Sequence, residues 1–176
     1  MRAVGVDLGG TKILARLVDT ETGWSEGRSK SPTPRTGPAG VIDGVIEVVR
    51  SLDNWESAEC IGIGMPGLVG IDGVVGPCPN IVGWDNPVAV SATLSDALGR
   101  PVAVGNDVNC GALAEFRVGA GQGVSDMLAV FVGTGVGGGL ILDGHVRPGA
   151  RGMTGEIGHL TVVDGGRPCG CGGLGH

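Results

Sequence analysis

The stretch Val4-Gly5-Val6-Asp7-Leu8-Gly9-Gly10-Thr11-Lys12 decides how this chain is read, and Ile13-Leu14-Ala15-Arg16-Leu17-Val18 follows it directly. An apolar strand ends in one carboxylate, two glycines make a turn, and a second apolar run resumes as strand rather than helix. A two-glycine turn leaves backbone N–H groups free to cradle phosphate oxygens, and Thr11 and Lys12 add donors beside them. Asp7 stands where a nucleotide-bound Mg²⁺ needs a hard oxygen ligand, directly or through water. The same letters also suit an ordinary tight hairpin, so the reading leans on a second glycine loop and an Asn-Asp pair further along.

Composition narrows the classes. The 176 residues suffice for one domain with a real core. Glycine accounts for 37 of them, about three times the usual ~7 % share. The excess falls in short clusters between apolar runs, which marks loops near ligands rather than disorder. With 3 % aromatic residues, no tyrosine and a formal charge of −6, the chain suits neither base stacking nor a phosphate-backbone partner. No apolar run reaches the ~18 residues of a membrane span, and the N-terminus lacks a signal-peptide pattern. Five cysteines are an odd count without the spacing of a disulfide framework, so a reducing cytoplasm is the simplest home.

Residues 3–8, 12–19 and about 24–30 read as three strands of a meander, with Thr22-Gly23 as a turn and Trp24 packing at its edge. A Pro/Gly-rich loop spans 31–40. Ile42, Val45, Ile46, Val49 and Leu52 then recur at helical spacing, predicting an amphipathic helix over 39–52. A buried strand over 60–65 is broken by Pro66-Gly67. Ser91 reads as the N-cap of a helix ending near Leu98, with Gly99 as its stop. A strand over 102–104 precedes a helix over 107–116. Strands alternating with helices predict an α/β domain with a mixed sheet flanked by helices. After Gly119-Ala120-Gly121-Gln122-Gly123 a new strand begins at 127–132, and 139–142 pairs with it across the second glycine loop. The expected division is therefore 1–118 and 119–176, the second part an incomplete lobe ending in a Cys/Gly-rich loop.

Gly133-Thr134-Gly135-Val136-Gly137-Gly138-Gly139 and Gly62-Ile63-Gly64-Met65-Pro66-Gly67 both match G-x-G-x-x-G in letters. A dinucleotide site needs a helix after the glycines; strand and turn follow the first, and Pro66 opposes a helix in the second, so neither supports NAD. Two strand–glycine turn–strand loops instead suit a phosphate chain. No Walker A lysine pattern is present. Asn106-Asp107 lies at a strand end and helix start, where either residue is an ordinary N-cap. There a carboxylate could also accept the proton of a sugar hydroxyl as a phosphorus–oxygen bond forms, with Asn106 on a neighbouring hydroxyl. Glu156 and His159 lie three apart, and Cys169, Cys171 and His176 complete H-x9-C-x-C-x4-H. Two thiolates and two imidazoles make a closed tetrahedral zinc set, although C-x-C is tighter than zinc-finger spacing and a plain Gly/Cys tail is the alternative. Cys60, Cys78 and Cys110 sit in apolar or loop contexts as inert thiols, and His145 reads as a turn residue.

Together, Asp7-Leu8-Gly9-Gly10-Thr11-Lys12, Asn106-Asp107, the 133–139 loop, the 155–159 turn and the cysteine cluster closely resemble the ROK family, from residue 3 to the last residue and in order. That family comprises bacterial repressors, open reading frames and sugar kinases. The resemblance implies an actin-like, ribonuclease-H-like two-lobed ATPase fold with sugar and nucleotide in the cleft. It implies Asp107 as the base that deprotonates the sugar hydroxyl, and Asn80, Asn106, Glu156 and His159 as holders of sugar hydroxyls. It assigns ATP phosphates to Gly9, Gly10, Thr11, Lys12 and the loop of Gly133, Thr134, Gly135, Gly137 and Gly138, with Asp7 near Mg²⁺. A structural Zn²⁺ would be held by His159, Cys169, Cys171 and His176, where the family's usual fourth ligand is cysteine. The implied activity is ATP-dependent phosphorylation of a hexose, glucose favoured, by a protein that is homo-oligomeric at full length. Polyphosphate as donor stays open. A family repressor carries a helix-turn-helix segment ahead of the first strand, whereas this chain starts on that strand. The family chain continues well beyond residue 176, so the expectation is an N-terminal portion whose active site is not self-sufficient, with a sugar-responsive regulator lacking its DNA-binding segment or a non-catalytic sugar- or zinc-binding fragment as the alternatives.

Overall fold

The computed structural model describes residues 1–133 and 135–176. Alternation decides the first sheet. In β1 (Arg2–Leu8) Val4, Val6 and Leu8 are buried, and in β2 (Lys12–Asp19) Ile13, Ala15 and Leu17 are buried. The antiparallel register pairs Val4 with Leu17, Val6 with Ala15 and Leu8 with Ile13, so each buried pair lies on one face. β3 (Ser25–Pro32) forms the edge beside β2, and its Glu26, Arg28 and Lys30 discourage pairing with another chain. Trp24 does not pack at this edge: it is 72 % exposed, because the turn that Asp19 Oδ1 holds through the N–H groups of Glu21 and Thr22 leaves it outside the sheet.

Beyond β1 the sheet turns parallel. β4 (Cys60–Met65) pairs with β1, and β7 (Val102–Asn106) pairs with β4, giving the order β3-β2-β1-β4-β7. A two-stranded ribbon of β5 (Val74–Val75) and β6 (Val88–Ala89) and one helix lie between β4 and β7, and another helix precedes β4. α1 (Pro38–Arg50) begins on proline, whose missing N–H costs nothing at a helix start. Its buried side chains are Val41, Val45, Val48 and Val49, while Ile42 and Ile46 are only partly buried. Apolar residues run nearly round this helix, so packing on the sheet, not periodicity, selects the innermost face.

α2 (Val90–Leu98) ends on Gly99 in the left-handed region, as expected. Ser91 is not its N-cap. It lies within the first turn, and its hydroxyl donates to the carbonyl of Val102 at 2.5 Å, fastening the helix to β7. α3 (Asp107–Val118) follows β7 without a linker. The core gathers β1, β2 and β4 with α1, α2 and the loop residues Cys78, Ile81 and Trp84.

The chain divides into two compact units, Met1–Cys110 and Gly111–His176, so the division falls inside α3. The second unit has its own antiparallel sheet, ordered β10-β9-β8, of β8 (Met127–Val132), β9 (Val136–Leu142) and β10 (His145–Val146). Neither G-x-G-x-x-G match opens a helix: Val136 begins β9, and Pro66-Gly67 ends β4. No helix among the described residues is long and apolar enough to cross a membrane.

Ile63, central in β4 and 2 % exposed, carries this core. Ile63→Ala is expected to lower the free energy of unfolding by about 2–5 kcal/mol, and Trp24→Ala to change it by under about 0.5 kcal/mol, both measured by urea denaturation.

Candidate active site

Parallel strands end on the same side of a sheet, and ligands in such folds gather outside their carboxyl ends. Here the register places Asp7, Gly64 and Gly105 in a row across β1, β4 and β7. The glycine turn, Pro66-Gly67 and Asn106-Asp107 therefore leave the sheet side by side. The turn is firmly held. Gly9 N–H donates to the Lys12 carbonyl at 2.9 Å, and the Thr33 hydroxyl donates to the Gly9 carbonyl at 2.6 Å. Thr33, 7 % exposed, is the buried polar residue of the described core, and the sequence reading missed it. Removing its hydroxyl would strand a carbonyl at the base of the turn.

Gly10 is fixed by what stands over it. A Cβ there would overlap the carbonyl oxygen of Asn80, so only glycine lets the Asn80 loop lie on the turn. That loop is anchored from beneath by buried Cys78, Ile81 and Trp84, with Cys78 N–H donating to the Trp84 carbonyl at 2.9 Å. Exposed Asn80 is thus presented beside Gly9 and Gly10. Trp84, absent from the sequence reading, supplies the apolar mass that holds it. Asp7 and Lys12 face one another across the turn, with Nζ 3.0 Å from Oδ2 and both side chains about half exposed. An ion pair this open adds little stability, so the pair is freely exchanged for other partners.

Asn106 caps α3: its Oδ1 accepts the N–H of Asn109 at 3.1 Å, and its Nδ2 donates to the Gly67 carbonyl at 3.3 Å. Its amide is largely spent on holding the helix start against the β4 loop, leaving one N–H free. Asp107 is the first residue of α3, where the helix dipole favours negative charge. Its Oδ1 accepts the N–H of Val108 at 2.9 Å, and Oδ2 has no protein partner among the described residues. One oxygen is fixed and the other is available. Cys110, one turn on, tucks its sulfur over Gly64 and Gly105, where no side chain intervenes. Cys110 as a whole is exposed, but desolvation of its sulfur against the sheet, and then the charge of Asp107, push its thiol up from the ordinary range. Burial likewise raises the Cys78 thiol.

In the second unit the glycine loop and the 155–159 turn meet. Gly133 N–H donates to the Gly135 carbonyl at 2.8 Å; Thr134 lies outside the described residues. Side chains at Gly138 or Gly155 would collide with the other's carbonyl, so this pair of glycines seats the turn on β9. Glu156 and His159 follow on that turn, His159 within a 3-10 segment, with Glu156 Oε2 3.8 Å from His159 Nε2.

The other ring nitrogen of His159 faces the cysteines. Its Nδ1 lies 3.9 Å from Cys169 Sγ, His176 Nε2 lies 3.0 Å from Cys171 Sγ, and all four ligand atoms fall within 4.8 Å of one another. Zinc bonds of about 2.0–2.3 Å place tetrahedral ligand atoms about 3.3–3.8 Å apart, close to this spread. Hydrogen bonds from the backbone and then the side chain of Cys171 hold the Cys169 thiol below its ordinary range, toward the thiolate a metal needs. Among the described residues His176 Nδ1 is buried without a partner, while its Nε2 faces Cys171. The chain's last residue is thus brought into the cluster. His145 stands apart from it, its Nδ1 2.6 Å from the Asp143 carbonyl.

An antiparallel meander, a glycine turn after its first strand and parallel strands added beyond that strand define the actin-like, ribonuclease-H-like ATPase fold. The chain belongs to the ROK family, whose model matches residues 3–175. A glucokinase of Streptomyces coelicolor is 36 % identical over 173 residues, 98 % of this chain and 53 % of that protein. The crystal structure of a ROK hexokinase from Thermus thermophilus matches with a TM-score of 0.85 at 41 % identity, covering 99 % of this chain and 58 % of that one. A ROK family glucokinase from Streptomyces griseus, solved in complex with glucose and AMPPNP, matches with a TM-score of 0.86 at 37 % identity, covering 99 % and 55 %. The chain spans about half the length of the curated relatives it matches.

Because Asp107 is one of two causes raising the Cys110 thiol, Asp107→Asn is expected to speed alkylation of Cys110 at pH 8. Removing the negative charge lowers the thiol's pKa and increases its thiolate fraction, while the desolvation of the sulfur against the sheet persists. Peptide mass spectrometry after timed iodoacetamide treatment reads the rate; an unchanged rate would separate the two groups.

Proposed function

We propose that the protein containing this chain transfers the γ-phosphoryl group of ATP to a hexose, with glucose as the favoured acceptor and O6 as the attacking oxygen. The observation that carries this reading is Asp107, held through Oδ1 at the start of α3 with Oδ2 free beside the glycine turn. Oδ2 takes the hydroxyl proton as the sugar oxygen attacks phosphorus in line; a phosphorus–oxygen bond forms, the β–γ bridging bond breaks, and ADP leaves with its electron pair. Positioning and charge stabilisation do most of the work. The Streptomyces griseus relative's complex with glucose and AMPPNP supports the pairing of sugar and adenine nucleotide.

Asn80, the remaining N–H of Asn106, Glu156 and His159 would hold sugar hydroxyls. Gly9, Gly10, Thr11 and Lys12 would receive phosphates, as would Gly133, Thr134, Gly135, Gly137 and Gly138. Nucleotide-bound Mg²⁺ would neutralise the phosphate charge. Asp7 would then leave Lys12 for the ion or its water, freeing Lys12 for a phosphate, an exchange that the exposed pair permits. The cluster of His159, Cys169, Cys171 and His176 fits Zn²⁺ by donor chemistry and spacing. Glu156 facing the far nitrogen of His159 would orient that ligand. In this reading metal binding sets the shape of the sugar pocket through His159. We place the functional boundary between lobes at 118/119, where α3 ends, and infer a cytoplasmic protein, homo-oligomeric at full length, with no nucleic-acid or membrane partner.

ADP release with Mg-ATP and glucose, N-acetylmannosamine, fructose or allose tests the activity. It is measured on this chain alone and joined to the unmatched remainder of the Thermus thermophilus hexokinase. Glucose is expected to give the highest kcat/KM, and Asp107→Asn to lower kcat by about 10²–10⁴-fold. Full turnover in Asp107→Asn would remove the base assignment, and a faster sugar would replace glucose. Elemental analysis is expected to find one zinc per chain, lost in Cys171→Ser together with thermal stability; zinc-free wild-type protein would refute the site.

A further inference from the structure

The peptide unit that joins Gly9 to Gly10 is the least constrained part of the glycine turn. Neither residue carries a Cβ, so the plane between them can rotate through backbone conformations closed to other residues. Its orientation matters, because the C=O and N–H of a trans peptide point in opposite directions. With the Gly9 carbonyl held inward, the Gly10 N–H faces out of the turn, where an anion gains from it. Turned over, the same unit would set a carbonyl oxygen against that anion and repel it. The bond from Gly9 N–H to the Lys12 carbonyl does not choose between the two, since it engages the units before Gly9 and after Lys12.

Thr33 makes that choice. Its hydroxyl donates to the Gly9 carbonyl at 2.6 Å, and its own N–H donates to the Thr11 carbonyl at 3.2 Å. One residue thus holds the peptide units on either side of the Gly10–Thr11 link. Among the described residues the N–H groups of Gly10 and Thr11 donate to no protein acceptor and stay available. Thr33 is itself fixed by its neighbours. It follows Pro32, which stands opposite Lys12 at the end of β3, and it precedes Pro34, which restricts it to extended backbone. The Pro34 ring lies over buried Gly44 of α1, and a β-branched side chain has few rotamers. Valine would fill the same place with no polar atom to satisfy, so packing alone does not call for threonine.

We propose that Thr33 is a positioning residue for the phosphate end of the nucleotide: its hydroxyl locks the Gly9–Gly10 peptide with the N–H outward, before the anion arrives. The role rests on the reading that this turn receives the phosphates of ATP. Thr33 acts through Gly9 rather than on either substrate. Its loss weakens nucleotide binding and spares the sugar side, because the Asn80 loop is anchored separately by Cys78, Ile81 and Trp84.

Thr33→Val removes the hydroxyl with little change of shape, and Thr33→Ser restores it. In this chain joined to the unmatched remainder of the Thermus thermophilus hexokinase, Thr33→Val is expected to raise KM for Mg-ATP about tenfold and to leave KM for the sugar within about twofold. Thr33→Ser is expected to bring KM for Mg-ATP back to within about threefold of the unsubstituted protein. The orientation is read without turnover, from the dipolar coupling of the Gly10 N–H in the weakly aligned, isotope-labelled 176-residue chain. One value is expected for the unsubstituted chain and Thr33→Ser, and a different one for Thr33→Val. An unchanged coupling in Thr33→Val, an equal rise of both KM values, or Thr33→Ser behaving like Thr33→Val would overturn the proposal. Should Thr33→Val fail to fold, the unsubstituted joined protein supplies the test. Its Gly10 coupling is expected to be the same with and without Mg-ATP, and reorientation on binding would show that the nucleotide, not Thr33, sets the peptide. A joined protein that binds no nucleotide would remove the kinase reading, while the couplings of the chain alone still show whether Thr33 holds the peptide.

Discussion

The parallel register of β1, β4 and β7 is the constraint on which the first unit's chemistry depends. Asp7, Gly64 and Gly105 lie in one row, so the glycine turn, the break after Met65 and the start of α3 emerge together. A shift of one residue in β1 would turn its buried valines to the wrong face and carry Asp7 with them. The hydrophobic alternation that fills the core is therefore also what positions the carboxylates. Stability and site geometry are set by one pattern.

Around that row, small residues and spent hydrogen bonds do the positioning. Gly10 admits the Asn80 carbonyl, Thr33 ties down Gly9, and Asn106 uses its amide to bind helix start to loop. The charged groups are left comparatively free. Asp107 has one oxygen unengaged, and Asp7 and Lys12 share an open ion pair. Rigid backbone with available charge is what a site needs when its charges must be exchanged for those of a ligand. The second unit repeats the device, with glycine against glycine seating the turn that carries Glu156 and His159.

Much of this was legible in the chain itself. The strands of the first meander, the stop of α2 at Gly99 and the strand–helix junction at Asp107 follow from alternation, glycine placement and capping chemistry. Trp24 and Ser91 did not come out as read, and on α1 Val41 and Val48 join the Val45 and Val49 that the periodicity picked out. Each depends on which neighbour arrives from elsewhere: Ser91 prefers the Val102 carbonyl to its own helix start, and Val48 outranks Ile42 only once α1 lies on the sheet. Thr33 and Trp84 were missed because a lone threonine or tryptophan carries no periodicity; only contact gives them a role.

By itself, the sequence determined the meander, the glycine turns, the mixed α/β order and the residue types proposed to hold phosphate, sugar hydroxyls and zinc. These are local matters of φ freedom, alternation and donor chemistry. Only the tertiary structure decided that Asn80 lies against Gly10, that Cys110 sits beneath the influence of Asp107, and that His159, 10 residues from Cys169, shares a cluster with His176. It alone revealed that Leu128, Val130 and Val132 of β8 are left exposed. Such facts depend on where distant segments come to rest, and that is fixed by packing over the whole unit rather than by any stretch of letters.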